Sequence, residues 1–245
     1  MNAVRTIFVA AALSSIIGGC EDPAKDVAKA TTESAKPVPV SSAAKPAVSS
    51  TAAASAPSAS AAGSAAPAPS AAAASPTDKP AGALGMTPEN SKIEFIGSKV
   101  TGKHEGKFEK FSGWLALEGD KPETAKVFIE IDMSSLRTDT EKLNTHLRTD
   151  DFFNVEKFPK GTFITTGIKA GGEKGATHTI TGNLKLRDVE KSVSFPATIT
   201  VKKDLVTAKA EFAINRKDWG IVYAGKKDDL IRDEVVIKLN LELKR

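Results

Sequence analysis

The side chains that most often perform catalysis or bind metal ions are present in this chain, but they do not form a recognisable catalytic motif. The three histidines, His104, His146 and His178, lie far apart, and Cys20 is the only cysteine among 245 residues. Zinc sites use histidine and cysteine at short fixed spacings such as HExxH, and the sequence contains none of these. A GxSxG nucleophile motif and a phosphate-binding glycine loop are absent as well. The sequence therefore predicts no metal site, no catalytic residues and no cofactor.

Two acidic pairs and one arginine are the remaining polar candidates. Asp150-Asp151 and Asp228-Asp229 carry the right groups for acid–base catalysis, but adjacent acids in loops usually form turns and stay solvated. Arg216, followed closely by Asp218, is the position of greater interest. Two interpretations stay open for it: a hydrogen-bonded strand end, or a charge at a cavity mouth that contacts the polar head of a ligand.

Cys20 stands directly behind a short apolar segment. Arg5 is followed by an apolar stretch from Ile7 to Ile17 and by Gly18-Gly19-Cys20. The stretch is shorter than the roughly 20 residues of a spanning helix, yet it has the three parts of an export signal. It resembles a bacterial lipoprotein cleavage site. We expect residues 1–19 to be removed and Cys20 to carry acyl chains that anchor the protein in the cell envelope, facing the periplasm, on either membrane. An ordinary secretory signal with an incidental cysteine is the alternative.

Residues 20–85 have a different composition, dominated by alanine, serine and proline. Large apolar side chains are scarce there, and eight prolines between Pro37 and Pro80 would interrupt any helix. The sequence predicts a disordered linker, which as a random coil would hold a folded domain about 40 Å from the membrane.

The folded domain predicted for residues 86–245 has a hydrophobic period of two. Residues 127–133 alternate apolar and charged side chains, and residues 235–243 do the same on one face. Similar patterns give eight predicted strands, over residues 93–100, 108–117, 127–133, 161–168, 178–186, 189–201, 205–214 and 235–243. Short turns between them favour antiparallel neighbours, in a closed barrel or a sandwich.

One segment departs from this pattern. Residues 140–148 have the pattern of a short capped helix, with Leu143 and Leu147 on one face. A loop with three large aromatic residues follows: Phe152, Phe153 and Phe158. Because loops rarely expose such residues, we expect them to plug one end of the barrel or to contact a bound ligand.

The charge distribution bears on the choice of partner. The formal net charge is +4 and the isoelectric point is about 9.0. The lysines and arginines are spread along the chain and are not gathered into one basic patch with interleaved aromatics. Nucleic acid is therefore not expected as a partner.

Three motifs in order resemble the YceI-like family: residues 146–159 (HLRTDDFFNVEKFP), 181–191 (TGNLKLRDVEK) and 215–221 (NRKDWGI). Asp188 stands where the family hairpin usually has glycine. The resemblance implies an all-β fold, an eight-stranded antiparallel lipocalin-like barrel with one short helix. It further implies a long apolar cavity that holds a polyisoprenoid or quinone-like lipid without catalysis.

On this basis we expect the ligand to contact a set of large apolar side chains, with Arg216 as the candidate for its polar head. They are Phe95, Phe108, Phe111, Trp114, Ile129, Ile131, Phe152, Phe153, Phe163, Leu184, Leu186, Phe212, Ile214 and Trp219. The expected partners are an isoprenoid lipid and, through Cys20, the membrane. Two alternatives remain: a solidly packed interaction module of the envelope stress response, and an isoprenoid-modifying enzyme. A continuous apolar cavity of several hundred Å³ would favour the lipid carrier.

Overall fold

Nearly all of the secondary structure belongs to one large, mostly antiparallel sheet that curls around an apolar interior. The computed structural model describes residues 22–38 and 78–245. The strands are β1 Ala28–Lys29, β2 Thr31–Ser34, β3 Leu84–Met86, β4 Ser91–Lys99, β5 Gly102–Phe108, β6 Phe111–Ala116, β7 Lys126–Asp132, β8 Leu136–Thr138, β9 Lys160–Ala170, β10 His178–Leu186, β11 Val189–Val201, β12 Leu205–Asn215, β13 Gly225–Lys226, β14 Asp229–Leu230 and β15 Glu234–Lys244. The helix α1 spans Glu141–Arg148, and short 3-10 helices cover Pro122–Thr124, Met133–Ser135, Glu173–Gly175 and Arg216–Trp219.

The main sheet has thirteen strands, of which eleven form one hydrogen-bonded path, where eight strands were predicted. The order along this path is β3-β6-β7-β9-β10-β11-β12-β15-β4-β5-β8. The eight predicted strands are all present, as β4, β6, β7, β9, β10, β11, β12 and β15. The count is wrong because β3, β5 and β8 also join the sheet. In the described residues no ladder joins β3 to β8, so the sheet is a curled half-barrel and differs from the closed eight-stranded barrel that was predicted.

Strand β5 escaped prediction because its sequence, GKHEGKF, has no apolar alternation. Its second glycine, Gly106, serves packing instead. A Cβ atom built on Gly106 would lie 2.3 Å from Cζ of Phe95, its cross-strand partner. Glycine at this position therefore leaves room for the Phe95 ring.

The centre of the sheet is the pair β12 and β15. They run in register from Leu205 opposite Lys244 to Asn215 opposite Glu234. Because side chains alternate between the two faces of a strand, Phe212 lies on the interior face, whereas the exposed Lys209 lies on the outer face. The alternation seen in the sequence thus builds an apolar inner wall.

The two ends of the half-barrel differ. The mouth end is formed by α1 and by the loops of residues 149–159 and 216–233. The far end is formed by the turns of residues 118–124, 171–177 and 202–204. Arg187 ties the mouth together by donating from Nη1 to the carbonyls of Phe152 and Gly220, each at 3.1 Å.

The predicted helix at the mouth is confirmed as α1. Its buried face carries Leu147 and Asn144. The amide oxygen of Asn144 accepts hydrogen bonds from the backbone N–H of Thr138 at 2.6 Å and from its hydroxyl at 2.8 Å. Arg148 donates from Nη2 to the carbonyl of Leu136 at 3.0 Å. These bonds fix the helix to β8.

Residues 22–36, which we call the N-terminal segment, also join the sheet. Strand β1 pairs in parallel with β12 at Phe212 and Ala213, and β2 pairs with β11 from Lys191 to Ser194. The direct ladder between β11 and β12 covers only residues 198–201 and 206–209. The N-terminal segment therefore fills the gap where β11 and β12 separate.

Side chains secure the N-terminal segment on both faces of the sheet. Outside, Ala24 packs against Ile96, Ala213 and Val236. Inside, Ala30 packs against the cluster that contains Phe212. At its end, the Asn183 side chain accepts from the Lys36 N–H at 3.0 Å and donates to its carbonyl at 2.7 Å.

The prediction of a linker without secondary structure over residues 20–85 did not include these strands. Pairing with the open edges of β11 and β12 orders a stretch whose own composition gives no sign of a strand. Because residues 22–36 pack on the half-barrel, the chain does not run as one uninterrupted linker from Cys20 to residue 85, as was predicted. Cys20 and residues 39–77 lie outside the described residues.

Candidate ligand-binding cavity

An apolar cavity runs along the interior of the half-barrel from the far end to the mouth. Pro122 and Leu117 line it at the far end, and Phe153 and Ile221 line it at the mouth. Its volume is about 160 Å³. All of its exposed lining surface is apolar, so it can hold a hydrocarbon chain and offers little to a polar one.

Most of the predicted contact residues do line this cavity. The structure brings together Phe95, Phe108, Ile129, Ile131, Phe153, Phe163, Leu184, Leu186, Phe212 and Ile214, with Arg216 at the mouth. They come from strands distributed around the sheet and meet because each occupies the interior face of its strand. Their convergence is a property of the fold, since they span more than 100 residues of sequence.

Three predicted residues are buried elsewhere in the interior. Phe111 packs in the core cluster with Met86 and Ile93. Phe152 lies in a second cluster under α1 and lines a second pocket that opens at the mouth. Trp219 is fully buried, and its indole N–H donates to the Leu184 carbonyl at 3.0 Å. None of the three lines the apolar cavity.

Trp114 lies on the other face of the sheet. The neighbouring Leu115 lines the cavity, which places Trp114 outside, where its ring centroid is 6.1 Å from that of Phe128. Its indole N–H is buried and has no hydrogen-bond partner. Alternation alone gave two faces for β6 but did not say which was interior.

Sequence reasoning missed several lining residues that alternation already contained. Val193 and Phe195 on β11 and Ile237 and Leu239 on β15 all face the cavity. Phe195 stacks on Phe212, with ring centroids 3.9 Å apart and planes inclined by 10°. Extending the interior face along the whole of each predicted strand would have identified them.

A second pocket, which we call the mouth pocket, opens at the end of the cavity. Its volume is about 330 Å³. It shares Phe95, Phe153, Arg216, Ile221 and Val235 with the inner cavity, so the two are continuous. Its other lining residues include His104, His146 and Asp229, which the sequence analysis weighed for metal binding or acid–base catalysis. They also include three polar side chains that the sequence did not single out: Lys99, Tyr223 and Arg232. The interior thus changes from apolar to partly polar toward the mouth.

Arg216 is the charged side chain at this transition. It is 4% exposed and donates to three backbone carbonyls: from Nε to Arg232 at 3.0 Å, from Nη1 to Ile221 at 2.6 Å and from Nη2 to Ile231 at 3.4 Å. Its Nη2 also lies 3.4 Å from Oδ1 of Asp233. Burial lowers the pKa of the guanidinium, and Asp233 opposes that shift. These bonds support the interpretation of Arg216 as a strand-end anchor, although it borders both cavities.

The aromatic loop closes one side of the mouth. Phe152 and Tyr223 pack against the ring of His146, each with centroids 5.0 Å from it. Phe153 meets Phe108 edge-on at 6.5 Å. Phe158 is half-buried beneath Lys157 and Arg187. Of the three loop phenylalanines, Phe153 lines both the inner cavity and the mouth pocket, Phe152 lines the mouth pocket, and Phe158 lines neither.

Two of the three histidines each pair with a single aspartate. His104 Nδ1 lies 2.9 Å from Asp139, and His146 Nε2 lies 2.9 Å from Asp151. The hydrogen bond with His104 lowers the pKa of the Asp139 carboxyl. Within residues 22–38 and 78–245, no three histidine, cysteine or acidic side chains gather closely enough to hold a metal ion. The same residues contain no helix of the length and apolarity needed to cross a bilayer.

The sequence profile of the YceI-like domain matches residues 85–243. The chain belongs to the YceI-like family. The match covers the strands from β3 to β15 and with them the whole cavity. The N-terminal segment lies outside it.

Two related proteins show how much of the chain the sequence similarity covers. A UPF0312 protein of Pseudomonas putida W619 is 36% identical over 93 residues, which are 38% of this chain and 47% of that protein. A UPF0312 protein of Pseudomonas fluorescens SBW25 is 30% identical over 132 residues, which are 51% of this chain and 68% of that protein. The chain thus spans about half the length of the Pseudomonas putida relative.

Two solved structures share the fold of this chain. BcnA of Burkholderia cenocepacia superposes with a TM-score of 0.53 at 22% identity, over 62% of this chain and 95% of BcnA. A polyisoprenoid-binding domain of Saccharophagus degradans, implicated in plant cell wall breakdown, gives 0.52 at 14% identity, over 66% of this chain and 97% of that domain. At these identities the likeness concerns the fold.

Proposed function

We propose that this protein binds a long isoprenoid lipid in the cavity of its half-barrel and carries it without chemical change. The observation that supports this most is the apolar cavity that runs the length of the sheet and opens at one end. A polyprenyl or quinone-like molecule has the matching form, a long hydrocarbon chain with one polar end. The polyisoprenoid-binding domain of Saccharophagus degradans, which shares the fold, agrees with this choice.

Affinity would come from the hydrocarbon chain. Each methylene moved from water into the cavity contributes about 0.8 kcal/mol. Thr165 and Arg216 are the polar residues in the lining, and Thr165 accepts a hydrogen bond from the Val127 N–H at 2.8 Å. The lining therefore presents few groups that favour water over a lipid chain.

The size of the cavity determines how a lipid must enter. At about 160 Å³ the inner cavity is below the roughly 300 Å³ of ordinary ligand pockets. A chain of several isoprene units would therefore enter through the mouth pocket and displace lining side chains such as Leu184, Leu186 and Leu239 by rotation.

The small inner volume also favours a second candidate, a packed interaction module that binds no lipid. The two candidates make opposite predictions for a substitution that fills the cavity. A lipid carrier would lose its affinity for the ligand, whereas a packed module would bind no lipid either before or after the substitution.

Ala208→Phe makes this test. Ala208 lines the cavity on β12, and the phenyl ring that this substitution adds would occupy the space of the cavity. We expect at least a tenfold loss of quinone affinity, because the chain and the ring compete for one volume. The matched control is Lys209→Phe, which places the same ring at the next, exposed position on the outer face.

Binding can be measured by tryptophan fluorescence in a Trp114→Phe background. The remaining Trp219 packs in the cluster of cavity-lining Phe195, Phe212 and Ile214, so a bound quinone would quench it. The carrier hypothesis requires saturable quenching that Lys209→Phe retains and Ala208→Phe loses. No saturable quenching with quinones of any chain length would support the packed module.

We further propose that Cys20 is acylated and anchors the protein in the envelope, facing the periplasm. The support is the signal-like sequence before Cys20. Labelled palmitate should be incorporated into the expressed chain and not into Cys20→Ser. Equal labelling of both, or of neither, would contradict acylation at this residue.

A further inference from the structure

We propose that the mouth end is a docking surface for a phospholipid bilayer, so that the cavity opens directly onto the membrane. This inference rests on the proposed isoprenoid binding and on acylation of Cys20. It adds which face of the protein meets the membrane and by which residues.

The exposed apolar side chains of the protein are concentrated at the mouth. Among the described residues, three large apolar side chains are exposed: Val100 at 53%, Val222 at 65% and Leu230 at 49%. Single exposed apolar residues are ordinary on protein surfaces. Three that share one end of a lipid-binding cavity, with none elsewhere in residues 22–38 and 78–245, suggest a common apolar partner.

These residues belong to two adjoining segments of the rim. The Val100 N–H donates to the Leu230 carbonyl at 3.1 Å, and Lys99 forms a bridge with Ile231. Val222 follows Ile221, which is buried and lines both the cavity and the mouth pocket. The rim thus carries apolar side chains inward to the cavity and outward to solvent.

The charges around the rim suit lipid headgroups. Lys226 and Lys227 are exposed in the hairpin of β13 and β14, beside the exposed Asp228. Asp229 in the same hairpin pairs with Lys99. The lysines would lie at headgroup level once Val222 and Leu230 enter the acyl region, and anionic lipids would favour this arrangement.

The N-terminal segment brings the anchoring end of the chain to the same place. Nη1 of Arg232, a mouth-pocket residue, lies 3.1 Å from Oδ2 of Asp22. Asp22 is two positions after Cys20, a reach of about 7 Å at full extension. Acyl chains on Cys20 would therefore enter the membrane beside the mouth and not at the far end.

The contacts of the N-terminal segment hold the half-barrel in this orientation relative to its acyl anchor. Beyond Asp22, Lys29 Nζ lies 2.8 Å from Glu234, and Lys36 is held through its backbone by Asn183. A short docked segment restricts rotation of the half-barrel about its anchor, which a free linker of 66 residues would not do.

Hydrogen exchange of the acylated full chain can test this surface. The protein is compared in detergent micelles and in vesicles of phosphatidylcholine and phosphatidylglycerol. We expect vesicles to slow exchange in residues 99–104 and 221–231 at least threefold. Residues 118–124 and 202–204 at the far end should not change.

A triple variant separates docking from lipid binding. Val100→Ser, Val222→Ser and Leu230→Ser together remove the exposed apolar groups, and none of these residues lines the cavity or the mouth pocket. The matched control carries Lys121→Ser and Lys203→Ser at the exposed far end. In detergent, the triple variant should keep its quinone affinity. From vesicles, we expect it to take up quinone at least fivefold more slowly than the control.

The outcomes distinguish the two proposals. Protection at the far end, no protection at either end, or unchanged uptake by the triple variant would overturn bilayer docking while leaving quinone affinity in detergent intact. Absence of quinone binding in detergent would contradict the proposed function itself. Protection of the rim only when envelope proteins are added would indicate a protein partner and also overturn bilayer docking.

Discussion

The half-barrel strands and the N-terminal segment enter the same sheet for different physical reasons. Strands such as β12 and β15 carry large apolar side chains at every second position and are stabilised by burying them. The N-terminal segment, with the sequence AKATTES over its two strands, buries little more than Ala24 and Ala28. It is held by backbone pairing to open strand edges and by a few polar contacts. We infer that the half-barrel does not depend on the segment for its stability and would stay folded in a variant whose segment is detached by mutation.

The largest effect is expected at a fully buried residue of the half-barrel core. Leu136 is 0% exposed and packs with Phe95, Leu147 and Phe152. Leu136→Ala should lower the free energy of unfolding by about 2–5 kcal/mol, because it leaves a cavity that its neighbours cannot fill. Denaturant titration measures this. Val100→Ala, at an exposed site, should change stability by less than about 0.5 kcal/mol, and an equal effect of both would refute the assignment of the core.

An intermediate effect is expected at Arg216. Arg216→Lys leaves some of the carbonyls of Ile221, Ile231 and Arg232 without donors, which should lower the free energy of unfolding by about 3 kcal/mol. If Arg216 is a strand-end anchor, the quinone affinity of the Arg216→Lys variant, measured under conditions in which the variant is folded, should differ less than twofold from that of the wild type. A large loss of affinity with little loss of stability would instead make Arg216 the contact for a polar head.

A local effect is expected in the N-terminal segment. Ala24→Glu places a charge where Ala24 is 2% exposed against Ile96 and Val236. Exchange of the Ala30 N–H, which donates to Ala213 at 2.8 Å, should rise at least tenfold while the half-barrel keeps its thermal midpoint within a few degrees. Ser34→Glu, at an exposed position of β2, is the control. Cooperative unfolding of the whole domain by Ala24→Glu would show that the two regions are not separable.

The smallest effect concerns the rim of the mouth. Asp229 accepts a hydrogen bond from Thr101 Oγ1 at 2.8 Å and pairs with Lys99, which lowers its pKa below the usual 3.8. A lowered pKa stabilises the fold above pH 3.8, and the contribution disappears as pH falls through the lowered value. Asp229→Asn should therefore be slightly less stable than the wild type at pH 7, and the difference should shrink as the pH falls below 3.8. A difference that grew toward acid pH would contradict this assignment.

The sequence predicts the parts of the fold whose signal is local. Alternation locates β7, β11, β12 and β15, and the capping pattern locates α1. It does not locate β5, where Gly106 makes room for the Phe95 ring, because that requirement comes from the neighbouring strand. The strands of the N-terminal segment cannot be predicted from the sequence for the same reason, since their pairing partners lie more than 150 residues away.

The candidate site shows a similar division. Interior positions such as Phe163 and Phe212 follow from alternation once the interior face is known. Trp114 shows that the face itself is not given by alternation, since it lies opposite to the predicted side. The mouth pocket depends on loops that bring His146, Tyr223 and Arg232 together, and no spacing in the sequence indicates that meeting.

The most direct test is native mass spectrometry of the full chain recovered from the envelope of an expressing bacterium, followed by solvent extraction of its ligand. Isoprenoid binding predicts a discrete added mass, beyond the acyl chains on Cys20, that the extract identifies as a polyprenyl or quinone compound. The added mass should be retained by Lys209→Phe and absent from Ala208→Phe. Wild-type protein that stays bare, both as recovered and after incubation with quinones of several chain lengths, would contradict the proposal that the half-barrel is a lipid carrier.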